Sequence, residues 1–195
     1  MTRHPTLIVV SGPPGSGKTT LAHALADALG WPAICRDELK EDMVAAGADP
    51  TDNTLDLKTL EVFFRSIGEL LQSGTSLVAE AAFQDRLWRP GLEPLANLAD
   101  IRIVRCVIDP ELARARIARR AADDPSRVAH ADSELLERIA AGQQPIESWV
   151  PIALDAPCLI VDTAQSWKPP LAQITEFATS APETTVSDQS EIRRS

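Results

Sequence analysis

Eight residues, Gly12-Pro13-Pro14-Gly15-Ser16-Gly17-Lys18-Thr19, constrain this chain more than any other part of it. They fill the pattern G-x-x-x-x-G-K-[ST] without a mismatch. The glycines allow a turn in which successive N–H groups face phosphate oxygens, and the helix that follows presents its positive N-terminus. Lys18 brings charge to the β and γ phosphates, and the Thr19 hydroxyl is the ligand expected for Mg²⁺. Two fixed glycines, a Lys and a Ser/Thr arise by chance in about one chain in a hundred of this length. An apolar run just before and an amphipathic stretch just after make chance a poorer account still. The expected nucleotide contacts are therefore Gly12, Pro13, Pro14, Gly15, Ser16, Gly17, Lys18 and Thr19, with Thr20 one step into the helix.

The rest of the chain alternates short apolar runs with amphipathic ones. Strands are expected at 6–11, 32–35, 76–81, 101–108 and 158–162. Helices are expected at 19–29, 37–46, 55–72, 88–98 (broken or started by Pro90 and Pro94), 110–122 and 133–141. Strands separated by helices pair in parallel through right-handed crossovers, which gives a three-layer α/β sandwich on a five-stranded parallel sheet. A chain of 195 residues makes one such domain, expected over 1–178, and from about Thr179 a polar, aperiodic tail is expected to be disordered. No apolar run approaches the ~18 residues of a membrane span, and no export signal is read at the N-terminus, so the expected compartment is the cytoplasm. Three widely spaced cysteines, Cys35, Cys106 and Cys158, fit buried thiols in a reducing compartment better than a metal cluster.

The loop alone is shared by many nucleotide-binding proteins. No Asn-Lys-x-Asp string is present to read guanine, and the length leaves little room for the helical lid domain of a motor ATPase. Several further strings follow in order: Cys35-Arg36-Asp37-Glu38, Val78-Ala79-Glu80, the Arg-rich stretch from Asp109 to Arg120, and Val161-Asp162-Thr163. Over about 5–165 the chain resembles the small P-loop kinases of the AAA-type ATP-binding group. Through them it is similar to the 5′ domain of polynucleotide kinase, the zeta-toxin kinases and chloramphenicol phosphotransferase.

That resemblance implies a role for Asp37 as the base that takes the proton of an attacking hydroxyl. The position suits it, because ligands of open α/β sheets bind at the carboxyl ends of the strands. The alternative is that Asp37 only caps the helix behind it. Arg36 either binds an anionic substrate group or faces solvent. Glu80 ends the third strand, where relatives more often carry Asp; from there it would hold a Mg²⁺-bound water or a substrate hydroxyl. Arg86 and Arg89 are candidate substrate clamps or ordinary surface arginines. Arg116 and Arg120 share a helix face, and the resemblance implies a lid, at about 111–132, that reaches over the phosphates. Otherwise they form a solvated face paired with Glu111 or Asp109. Arg127 would add to that clamp, while His130 reads more simply as solvated or structural. Thr163 and Ala164 are implied contacts to the nucleotide base.

A formal net charge of −9 argues against long nucleic-acid contacts, leaving the arginine helix as a local basic patch. The function expected is a Mg²⁺·ATP-dependent kinase that phosphorylates a hydroxyl of a small molecule. Two alternatives stay open: a nucleic-acid 5′-OH kinase, and a nucleotide-dependent switch whose ATP only orders the lid.

Overall fold

The structure is a computed structural model that describes residues 4–123 and 149–180. Arg127, His130, the helix expected at 133–141, the distal part of the expected lid and the tail beyond residue 180 lie outside the described residues.

Strand β1 (Thr6–Ser11) is buried at every position, which only a central strand covered on both faces can be. It pairs in parallel with β3 (Leu77–Ala81) on one side and β4 (Asp100–Val107) on the other. Strands β2 (Ala33–Cys35) and β5 (Cys158–Asp162) close the two edges, giving the order β2-β3-β1-β4-β5. The alternation along β1 divides the core. Leu7 and Val9 face Phe63, Ile67 and Leu71 of α3 (Leu55–Gln72) and Trp88 of α4 (Asp85–Leu92). Ile8 and Val10 face Leu21 and Leu25 of α1 (Lys18–Leu29) and Ile174 and Ala178 of α6 (Leu171–Thr179). Helices α2 (Arg36–Ala45) and α5 (Pro110–Asp123) both begin at the carboxyl edge of the sheet. The expected three-layer sandwich with five parallel strands is the fold observed.

Three differences from the sequence reading have physical causes. The expected helix at 88–98 begins earlier, at Asp85, and ends at Leu92, passing into a 3₁₀ segment at Glu93–Asn97. Pro94 cannot donate into an α-helical ladder, so the tighter segment takes over there. Helix α6 was not anticipated: Pro170 stands before it, and Ile174 and Ala178, four apart, are the pair it buries beside α1. Finally, Cys158 is exposed rather than buried, because it opens the edge strand β5, whereas Cys35 and Cys106 lie inside.

Candidate nucleotide-binding site

The loop leaves the carboxyl end of β1 and runs straight into α1. Its conformation depends on glycine at two places. Gly12 (φ 155) lies where a Cβ would come within 2.6 Å of the Cys106 carbonyl, and Gly15 (φ 76) where one would come within 2.6 Å of the Ala113 carbonyl. The loop is thus wedged between β4 and the first turns of α5, with no room for a side chain against either backbone. Gly17, Lys18, Thr19, Thr20 and Gly15 line a cavity of about 170 Å³ closed on its far side by Arg116, Ile117 and Arg120. This places Gly15 and Gly17 to Thr20 of the expected nucleotide contacts around one space with both arginines of the expected lid. Pro13 contributes its carbonyl, which accepts a hydrogen bond from Lys18 Nζ at 3.1 Å.

Glu80 ends up beside the loop because of register: on β3 it stands opposite Val10 of β1 and Cys35 of β2. Its carboxylate accepts from Thr19 Oγ1 at 3.1 Å and lies 3.8 Å from Lys18 Nζ. Glu80 and Lys18 are both buried. Burial pushes the Glu80 carboxyl above its usual range; Lys18 pulls the other way, and the charges of Asp37 and Glu38 add to the rise. A hydroxyl and a carboxylate held together, in a place where the carboxylate's charge is under-compensated, fit a hard divalent cation such as Mg²⁺.

Asp37 lies at the neighbouring strand end, in the first turn of α2. The residue at the cap position is Cys35, and it makes no side-chain cap bond, so Asp37 is not the cap of this helix. Its side chain is 78% exposed and accepts from Arg36 Nη1 at 2.9 Å. Arg36 is itself largely buried, bonded also to Asp56 at the start of α3 and stacked 6.0 Å from the Phe83 ring centroid. Burial alone would lower its pKa, but Asp37 and Asp56 outweigh it and the net shift is upward. Arg36 therefore does not face bulk solvent; its guanidinium is held between Asp37 and Asp56 beside Phe83. Arg86 and Arg89, the other clamp candidates, are exposed on α4, and Arg89 pairs with Asp85 of its own helix at 3.3 Å. They are not brought to the cavity.

Arg116 does not pair with Glu111 or Asp109. Its Nη2 donates to the carbonyls of Thr163 at 2.8 Å and Ala164 at 2.7 Å, while Asp109 caps α5 through the Glu111 N–H at 2.9 Å. Thr163 is buried and its hydroxyl donates to the Ser16 carbonyl at 2.7 Å, with the Val107 carbonyl at 3.2 Å. The Thr163 side chain is thus engaged with the phosphate loop, whereas the base contact that the resemblance implies runs largely through backbone groups of the segment after β5. Sequence reasoning missed this bracket, and it missed Asp56 and Phe83 as the partners of Arg36, because each contact joins segments remote in sequence and no local pattern marks them.

The family described as an AAA domain matches residues 7–146. A candidate kinase from Chloroflexus aurantiacus j-10-fl is 28% identical with a TM-score of 0.76, over 90% of this chain and 97% of that one. The shikimate kinase of Acinetobacter baumannii, solved with shikimate, is 20% identical with a TM-score of 0.52, over 90% of each chain. A chain of the Pnkp1/Rnl/Hen1 RNA repair complex is 19% identical with a TM-score of 0.58, over 78% of this chain and 49% of that one. No curated protein matches. The fold and loop are those of small P-loop kinases. Among the described residues, no helix is long and apolar enough to cross a membrane.

Proposed function

The chain belongs to the AAA domain family, and from that premise we propose that it is a Mg²⁺·ATP-dependent kinase whose acceptor is a hydroxyl of a small molecule. The observation that carries this reading is the pair of acids at adjacent strand ends. Glu80 is buried against Thr19 and Lys18, while Asp37 is open to solvent and oriented by Arg36. The first suits the metal side of a phosphoryl-transfer site and the second the acceptor side.

In this mechanism the triphosphate lies along the loop from Gly12 to Thr20, and the γ-phosphate displaces the Pro13 carbonyl as the partner of Lys18. Thr19, with Glu80 behind it, would hold Mg²⁺, which supplies charge neutralisation between the β and γ phosphates. Asp37 accepts the acceptor's hydroxyl proton as its oxygen attacks the γ-phosphorus; the bond to the β–γ bridging oxygen breaks and ADP leaves. Lys18, Arg116 and Arg120 stabilise the charge on the transferring group, with Arg116 aimed by the carbonyls of Thr163 and Ala164. The catalytic unit proposed here is one domain that includes the arginine-bearing helix α5 (Pro110–Asp123).

The test is incubation with Mg²⁺ and γ-labelled ATP plus a fractionated metabolite extract, beside an Asp37→Asn variant. Label should move to a small molecule and fall by about 10²–10⁴-fold in the variant, the range for loss of a general base, while ATP binding persists. Label released only to water, or transferred equally by both proteins, would refute the assignment. Labelling of a 5′-OH oligonucleotide in preference to the metabolites would move the acceptor to nucleic acid.

A further inference from the structure

A second group of chemistry-bearing side chains gathers around Cys35, and phosphoryl transfer as derived above does not use it. His23 projects from α1, Cys35 closes β2 and Glu38 stands in the first turn of α2. One ligand atom from each lies within 4.8 Å of the other two. His23 Nε2 is 3.7 Å from Cys35 Sγ and 2.8 Å from Glu38 Oε1. We propose that His23, Cys35 and Glu38 form a binding site for a borderline-soft divalent cation of the Zn²⁺ type, separate from the Mg²⁺ of the nucleotide site.

The geometry distinguishes this from a nucleophilic triad. In such a triad the imidazole relays a proton between its two nitrogens, one facing the thiol and the other the carboxylate. Here sulfur and carboxylate both face Nε2, so the three groups converge on one point instead of forming a chain. Convergence on a common point is what a metal ion requires. With Zn–S of ~2.3 Å and Zn–N of ~2.0–2.1 Å, a tetrahedral site sets sulfur and nitrogen roughly 3.5 Å apart, and nitrogen and oxygen roughly 3.3 Å apart. The first spacing is already present, and the second needs the hydrogen bond between His23 and Glu38 to open by about half an ångström.

The donor set selects the metal. One sulfur, one nitrogen and one oxygen suit Zn²⁺ or Co²⁺ and are a poor match for Mg²⁺ or Ca²⁺, which take oxygen. Binding would exchange the thiol proton for the metal, Cys–SH plus Zn²⁺ giving Cys–S–Zn⁺ and H⁺. The side chains of His23 and Glu38 are 47% and 43% exposed, which gives an ion a route in and leaves a coordination position for water. The occupied site would fasten the first turn of α2, which carries Asp37, to α1.

The experiment titrates the full-length chain with Co²⁺ alone and reads the thiolate-to-cobalt charge-transfer absorbance, which an oxygen-only site cannot produce. The expected result is one cobalt per chain, displaced by an equivalent of Zn²⁺ and unaffected by excess Mg²⁺. Cys35→Ser should abolish the band. His23→Gln, at an exposed position that leaves the core intact, should weaken cobalt binding by about tenfold or more, the scale set even by loss of an outer-shell partner. Cys158→Ser should leave the band unchanged. Absence of a charge-transfer band at saturating Co²⁺ overturns the proposal, as does a band that survives Cys35→Ser, is insensitive to His23→Gln or is lost with Cys158→Ser.

Discussion

Replacing Thr163 by Val tests whether this residue meets the nucleotide or holds the phosphate loop. Valine keeps the shape of threonine and removes only the hydroxyl. That hydroxyl donates to the Ser16 carbonyl at 2.7 Å inside the protein, with the Val107 carbonyl at 3.2 Å. The substitution strips Ser16 of this bond, and a buried acceptor so orphaned costs about 1–3 kcal/mol. The Thr163 N–H still donates to the Val107 carbonyl at 3.1 Å, and Arg116 still reaches the Thr163 carbonyl, so backbone attachment persists. For a domain of this size 1 kcal/mol shifts Tm by roughly 2–4 °C, so the nucleotide-free variant should melt roughly 2–12 °C lower. The assay is thermal unfolding without ligand, followed by competition of ATP against GTP for the site. If the hydroxyl holds the loop, Tm falls and both nucleotides weaken together. An unchanged Tm with an altered ATP/GTP ratio would refute the bracket and return Thr163 to the base.

Two further perturbations address the same cradle. Gly15→Ala forces a left-handed backbone on a residue with a Cβ, costing about 1–2 kcal/mol, and drives that Cβ to 2.6 Å from the Ala113 carbonyl. Equilibrium unfolding should show at least that loss, and nucleotide titration a clear fall in affinity; wild-type ATP binding would contradict the account of the loop as wedged against α5. Glu80→Gln tests the buried acid through pH. A carboxyl raised in the folded state contributes its stability fully below its unfolded pKa, and that contribution is lost as pH rises through the folded value. In metal-free protein, the Tm of wild type minus that of Glu80→Gln should therefore decline as pH rises above about 4, the range of an unfolded carboxyl. A difference that is flat or grows with pH would show that Lys18 and Thr19 outweigh burial.

The features legible in the sequence are those written locally. The Gly-Lys-Thr loop dictates its own turn, and the apolar run Leu7–Val10 announces a strand. Glu80 could be singled out because an acid at the end of an apolar strand has few other uses. What could not be read is what each polar group meets. Arg36 was open between a substrate anion and solvent, and its actual partners, Asp56 and Phe83, come from other elements across the fold. The same holds for Arg116, for which the sequence offered Glu111 and Asp109 as partners but whose acceptors are carbonyls following β5. Helix spacing predicts neighbours on one helix; it says nothing about a carbonyl on the strand beside it. Helix α6 went unread because its buried face is short, with Ile174 and Ala178 as its buried residues.

The strand order has a consequence for how the chain is made. β1 pairs with β3 and β4 and never with β2, and β2 pairs only with β3. On the ribosome, β1 emerges ahead of α1, β2, α2 and α3, all of which must follow before its first neighbour exists. Throughout that interval the most apolar segment of the protein is a strand with two unpaired edges, the kind of surface that recruits chaperones or other nascent chains. The phosphate loop at its end has no fixed shape until β4 brings the Cys106 carbonyl against Gly12 and α5 brings the Ala113 carbonyl against Gly15. Nucleotide can therefore act as a folding ligand only late in synthesis, after α5 has cleared the exit tunnel.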